Sequence, residues 1–201
     1  MAGHSKIDRL RRRRSCVALG TLHVAALLLA CLGLFFPQVR AQQPKPSEYK
    51  VKAIYLYNFG KFVQWPGDRD AQGPSGSFLI CVLGKDPFGG LLESTIKGEE
   101  INEMHLVAKR VTSPADTAGC RILFISLSEE QRLANILEDL QSKPILTVSD
   151  IPNFCDRGGM IQFELKEGKI RFAVNLTAAE KPGLALSSQL VKVATSVRRN
   201  P

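Results

Sequence analysis

Phe78 to Ile96 reads FLICVLGKDPFGGLLESTI. The apolar run Phe78 to Leu83 is too short for an ordinary helix and stops at Gly84, so it reads as a strand covered on both faces. Asp86-Pro87 then offers an N-cap acid with Pro at the first helical position. Phe88, Leu91, Leu92, Thr95 and Ile96 recur at helical spacing until Gly98. A wholly apolar strand followed at once by an amphipathic helix is a building unit of α/β domains.

The same alternation continues toward the C-terminus. His105 to Val111 reads as a short strand and Arg121 to Ile125 (RILFI) as a second strongly apolar one. Ser128-Glu129-Glu130-Gln131 has the form of a capping box, and Leu133, Ile136, Leu137 and Leu140 continue it at helical spacing until Pro144. Ile145 to Val148 is a third apolar strand. Met160–Leu165 and Lys169–Asn175 flank a Glu167-Gly168 turn. A two-residue loop pairs Leu165 with Ile170, Phe163 with Phe172 and Ile161 with Val174, and sets Glu164 against Arg171 on the other face. A slip of one residue would destroy both matches. Thr177-Ala-Ala-Glu180 reads as another capping box, and Leu186, Leu190, Val193 and Val197 mark a C-terminal helix.

Toward the N-terminus, Val51, Ile54, Tyr55, Phe59 and Phe62 fall on one helical face, with Tyr49, Leu56, Tyr57 and Val63 on the other side, before Trp65-Pro66-Gly67 ends the helix. A helix apolar nearly all round must be covered on both sides. It is either core throughout or partly a dimer or partner surface, and the C-terminal helix shares that ambiguity. Ala71 to Ser77 is a loop. The expected fold is a three-layer α/β domain with a largely parallel sheet, a C-terminal antiparallel hairpin at the edge and flanking helices. About 150 residues suffice to bury such a core without a metal.

The chain has 201 residues, 44% hydrophobic and 23% charged, which excludes wholesale disorder and a multi-span membrane protein. Its formal charge is +8, from 27 basic and 19 acidic side chains; residues 1–41 hold seven of the basic and one of the acidic, which leaves the body at +2. The basic balance therefore describes a leader and not a nucleic-acid surface, and the body lacks the aromatic interleaving of single-strand binders. Arg11 to Arg14, the apolar stretch Cys16 to Phe36 and Val39-Arg40-Ala41 form the three regions of a secretory signal peptide, residues 1–41, cleaved after Ala41. A retained anchor is the alternative, since about 20 apolar residues can span a bilayer; lipidation at Cys31 is a third, against which the apolar run continues through Phe36. Each places the body outside the cytoplasm. Residues 42–47 form a linker and 48–198 the domain.

Past the leader only His105 remains of the histidines, and only Cys81, Cys120 and Cys155 of the cysteines. One His cannot build a multi-His metal centre, the Cys spacings are not those of zinc ligands, and no nucleophile elbow is present. No catalytic residue, metal or cofactor is assigned. Glu99-Glu100 and Glu129-Glu130 read as solvated turn residues. The loop Gly84-Lys85-Asp86-Pro87-Phe88-Gly89-Gly90 sits where α/β folds bind anions and nucleotides, although it is neither a P-loop nor G-x-G-x-x-G; a packed turn is the plainer reading. Cys81 lies in the first strand and Cys120 just before the RILFI strand. If those strands are neighbours the thiols could be bridged, adding roughly 4 kcal/mol in the chain-entropy model; otherwise they are two small buried hydrophobes. Cys155 is then a free or intermolecular thiol.

These residues carry a resemblance. Val51-Lys-Ala-Ile-Tyr-Leu-Tyr-Asn58-Phe59, Lys61-Phe62-Val63 and Trp65-Pro66 begin it. Cys81-Val-Leu-Gly84-Lys-Asp86-Pro87-Phe88-Gly89, Gly119-Cys120-Arg-Ile-Leu-Phe-Ile-Ser126 and Leu146-Thr-Val-Ser-Asp150 continue it. Gly158-Gly159-Met160-Ile161, Ile170-Arg171-Phe172, Val174-Asn175-Leu176 and Ser187-Ser188-Gln189-Leu190 close it. Over Tyr49 to Val197 the chain resembles the YfiR/HmsC-type periplasmic proteins. The resemblance implies a non-enzymatic, dimeric regulator that binds the periplasmic sensor domain of an inner-membrane diguanylate cyclase and lowers cyclic-di-GMP output, restraining biofilm formation, with redox-responsive cysteines. Cys81 and Cys120 match one family pair. Cys155 matches one member of a second pair whose partner position here is Gln162. The partner surface is expected around Leu186, Leu190, Val193 and Val197; the competing reading is a small-molecule or nucleotide site at Gly84, Lys85, Asp86 and Gly89.

Overall fold

The computed structural model describes residues 46–67 and 76–199. The expected leader with Cys31, the linker as far as residue 45 and most of the Ala71–Ser77 loop lie outside the described residues. The described chain runs through helix α1 (Pro46–Phe62), β1 (Val63–Gln64), β2 (Ser77–Leu83), α2 (Leu91–Ile96), β3 (Glu100–Ile101), β4 (Met104–Val111), β5 (Cys120–Ile125), α3 (Leu133–Leu140) and β6 (Leu146–Ser149). It then runs through β7 (Ile161–Lys166), β8 (Lys169–Asn175), α4 (Leu176–Glu180), β9 (Ala185–Leu186), α5 (Ser188–Val193) and β10 (Val197–Arg198). Eight strands form one sheet in the order β10-β8-β7-β6-β5-β2-β4-β3, while β1 and β9 pair separately. No helix among the described residues is long and apolar enough to cross a membrane.

The centre of the sheet is parallel: β2 lies between β4 and β5, and β5 pairs with β6. Alternation along β2 and β5 divides the core. Phe78, Ile80, Val82, Ile122 and Phe124 pack on the side of α1; Cys81, Leu83, Cys120, Leu123 and Ile125 pack on the side of α3. Both faces are therefore covered, as parallel sheets require. The hairpin adopts the expected register in full, Leu165 with Ile170, Phe163 with Phe172 and Ile161 with Val174. Glu164 stands opposite Arg171, yet its ion pair is with Lys166, at 2.8 Å. The hairpin is not the sheet edge, because β10 adds in parallel outside β8.

Four local expectations are corrected. The helix after β2 begins at Leu91 and not at Asp86-Pro87: Asp86 accepts the Phe88 N–H at 2.8 Å, closing a turn, and Gly89 takes φ +53°, which interrupts helical propagation. Ser128 caps nothing, because its hydroxyl accepts the Lys85 N–H at 2.9 Å; Ser126 is the cap of a 3-10 turn over Leu127–Arg132, and α3 starts only after it. Asn175 and not Thr177 caps α4, accepting from Ala178 N at 3.0 Å. The expected C-terminal helix ends at Val193: Thr195 N–H donates to the Phe172 carbonyl at 2.8 Å, which draws the chain into the sheet. Sequence reading also missed the tight β3–β4 hairpin, turned by Asn102 and Glu103 at φ 51° and 64°.

One face of α1 turns inward. Ala53, Leu56, Phe59 and Gly60 are buried, whereas Val51 and Ile54 are 38% and 42% exposed. Lys52 lies on the buried side. Its ammonium meets Asp150 Oδ2 and Glu48 Oε1, each at 2.7 Å, and Tyr49 OH donates to the same Asp150 oxygen at 3.1 Å. Burial, then the Asp150 carboxylate, pushes the Tyr49 phenol above its ordinary pKa, so it stays a donor. A cation on the buried side of α1 thus reaches the carboxyl end of β6. Removing one partner of a buried pair strands the other. Lys52→Ala is expected to cost about 3 kcal/mol in urea unfolding, and adding Asp150→Ala to recover part of that.

Candidate functional site

The cysteines are placed by the β2–β5 pair. Leu79 lies opposite Cys120, and the register then shifts by one, so that Cys81 lies opposite Leu123. The extra residue, Arg121, keeps Cys120 and Leu123 on one face of the sheet. Cys81 and Cys120 thus share a face, with Cα atoms 5.9 Å apart, and are joined in a disulfide. Both are buried against α3. Just outside Cys120 a hollow of about 380 Å³ is lined by Trp65, Gly119, Lys143 and Pro144 among others.

Cys155 is a buried free thiol. Its Sγ lies 3.7 Å from the carbonyls of Met160 and Ala173. The residue at the partner position, Gln162, holds the same loop without a covalent bond, its Oε1 accepting the Cys155 N–H at 3.2 Å. Asn175 completes the clamp, donating from Nδ2 to the Cys155 carbonyl at 2.9 Å. Burial pushes the thiol pKa up to about 12. Reactivity needs the thiolate, so this cysteine is quiet at neutral pH.

The Gly84–Gly90 loop follows β2 at the point where strand order reverses between β2 and β5, the usual ligand crevice of such sheets. Here that crevice is tied shut. Ser126 donates its N–H to the Leu83 carbonyl at 3.0 Å and its hydroxyl to the Lys85 carbonyl at 2.7 Å. A side chain at Gly84, which has φ +89°, would meet Ser128 Oγ and Glu129 Oε1 at 2.5 Å. Glu129, expected in solvent, is buried and held by Arg132 and by Ser128 Oγ at 3.0 Å. Asp86 engages Arg110 at 2.6 Å, and Arg110 also donates to the Gly89 carbonyl at 2.9 Å. Asp86 and the backbone of Lys85 and Gly89 therefore have protein partners. His105 is an exposed strand residue 3.0 Å from Glu100.

The expected partner residues do not share one helical face. Leu186 is half-buried in β9 opposite Val63, and Leu190 is buried. Val193 and Val197 are 66% and 43% exposed. They lie in the segment Lys192 to Arg199, KVATSVRR, which carries no acidic residue and in which every residue but the half-buried Ala194 is exposed. That segment is pinned along β8 by backbone bonds from Thr195 to Phe172 and from Val174 to Ser196. Arg110 and Lys52 had no motif of their own to announce them; the hint for Lys52 was a Lys embedded in an apolar helix.

A protein-family profile described as YfiR/HmsC-like matches residues 49–195. Among solved structures, the chain is similar to a conserved domain protein from Vibrio cholerae O1 biovar El Tor str. N16961, at 13% identity over 60% of this chain and 54% of that one, with a TM-score of 0.45. It is also similar to an ABC domain in complex with L-Trp from Streptococcus pneumonia, at 11% identity over 73% of this chain and 60% of that one, with a TM-score of 0.51. The chain thus spans little more than half the length of each, and the second shares the fold alone.

Two expectations follow from the cysteines. Cys120→Ser opens a covalent loop of 39 residues' separation and is expected to lower stability by about 4 kcal/mol, read from denaturant midpoints under oxidising conditions. For Cys155, folding favours the protonated thiol. Its contribution is intact below the ordinary value of 9.0 and is lost as pH rises toward about 12. The alkaline fall in stability should therefore be shallower in Cys155→Ala across that window.

Proposed function

The chain belongs to the YfiR/HmsC-like family, and we propose that within it this protein binds the periplasmic sensor domain of an inner-membrane diguanylate cyclase and holds the enzyme inactive. The family is regulatory and non-catalytic, and acts on cyclic-di-GMP signalling from the periplasm. The observation that carries the finer reading is the exposed Lys192–Arg199 segment, with Val193 at the end of α5 and Val197 on β10, a strand fixed to the sheet, both open to solvent. Exposed apolar side chains held on a rigid element are what a docking surface needs. The docking face is accordingly assigned to Val193 and Val197, while Leu190 belongs to the core and Leu186 packs against it.

The proposal includes redox control through Cys81 and Cys120. The bridge joins the two strands at the centre of the sheet, so its loss would loosen the frame that presents the segment. It also includes a homodimer, which Val51 and Ile54 support by their exposure one turn apart on α1. The ligand alternative at Gly84 to Gly90 has less support, because Asp86 and the loop backbone have internal partners.

In cells lacking the native gene, the wild-type protein is expected to lower cyclic-di-GMP. Val193→Glu and Val197→Glu, each exported and folded by circular dichroism, are expected to leave it high. Normal repression by both folded variants would remove the segment from the docking face.

A further inference from the structure

A cleft of about 550 Å³ lies between α3, the loop from Arg157 to Met160 and α4. None of its lining residues belongs to the Gly84–Gly90 loop or to the Lys192–Arg199 segment. Its volume is within the range of small-molecule sites. Its lining is apolar at Leu137 and Leu140 of α3 and Ala178 of α4, and polar at Thr147, Arg157 and Lys181.

These polar groups are rich in donors and short of acceptors. Arg157 is braced by the Glu130 carbonyl, to which Nη2 donates at 2.9 Å, with the Glu130 carboxylate at 3.5 Å. That uses only part of a guanidinium with five N–H groups. Lys181 Nζ donates to a neutral acceptor, Gln141 Oε1, at 2.9 Å. Thr147 is almost wholly buried. Its hydroxyl oxygen accepts the Met160 N–H at 3.2 Å, while its own N–H meets the Met160 thioether at 3.5 Å, a weak acceptor. The reason is the short β6–β7 ladder, which pairs only Val148 with Ile161 and Ser149 with Gln162 and so stops beside Thr147. Glu138 is the one carboxylate in the lining.

We infer that this cleft binds a small organic monocarboxylate. The carboxylate is held by the Arg157 guanidinium, the Lys181 cation adds positive potential from the other end of α3, and the apolar body rests on Leu137, Leu140 and Ala178. Charge-assisted bonds to a carboxylate fit the unused donors, and the apolar wall selects against bare inorganic anions. The inference concerns the protein by itself and does not depend on the cyclase partner.

The test is amide NMR titration of the folded protein with phenylbutyrate, with phenylbutylamine and inorganic phosphate as comparison probes. Phenylbutyrate is expected to give saturable shifts centred on Thr147, Gly158 and Ala178. Arg157→Gln with Lys181→Gln, both solvent-facing changes, is expected to weaken binding roughly tenfold or more. Ala178→Trp, which fills the cleft, is expected to abolish it. No saturable shift with phenylbutyrate, equal binding of the amine or of phosphate, or full affinity in the double variant would each overturn the site.

Discussion

The pairing of β2 with β5 is the constraint on which the other elements depend. Both strands are apolar on both faces, so neither can stand at the surface, and they must be covered above and below. That requirement places α1 on one side and α3 on the other, β4 beyond β2 and β6 beyond β5. The Cys81–Cys120 bridge then joins the same two strands covalently at the register shift. A cross-link at a buried pair constrains the unfolded chain without adding any exposed feature to the folded one.

The carboxyl ends of these strands are where a sheet of this kind commonly does chemistry. In this protein they are closed by Ser126, Ser128, Glu129 and Arg110 on one side, and by the Lys52–Asp150 pair with Tyr49 at the end of β6. Phe88 fills the space between, edge-on to Tyr49 and to Phe124. The surfaces proposed for function therefore lie at the periphery: at the far edge, where Val193 at the end of α5 and Val197 of β10 stand exposed among cations, and in the α3–α4 cleft. A closed crevice and a rigid, presented edge suit a protein that works by contact.

Much of this was legible in the residues. Uninterrupted apolar runs such as FLICVL and RILFI can be satisfied only inside a sheet, and the hairpin register followed from matching two faces at once. What failed was local competition for hydrogen bonds. Asp86, Ser128 and Thr177 each occupy a capping pattern, yet Asp86 closes a turn on the Phe88 N–H ahead of a left-handed Gly89, Ser128 is taken by the distant Lys85 N–H, and Asn175 caps in place of Thr177. Periodicity could not choose the buried side of α1, because apolar residues lie all round it, and the deciding group is a lysine whose carboxylate partner is 98 residues away. The C-terminal helix was overextended for a related reason. Valine spacing alone cannot reveal that an open edge on β8 is waiting for a strand.

The central claim is that this protein acts by touching another protein. Its most direct measurement is the association of the purified, oxidised protein with the isolated periplasmic domain of a membrane diguanylate cyclase from the same cell, by calorimetry and analytical ultracentrifugation. The account expects a saturable complex of defined stoichiometry that weakens when Val193 carries a charge. Two well-folded components that never associate, with every such cyclase the cell encodes, would contradict it.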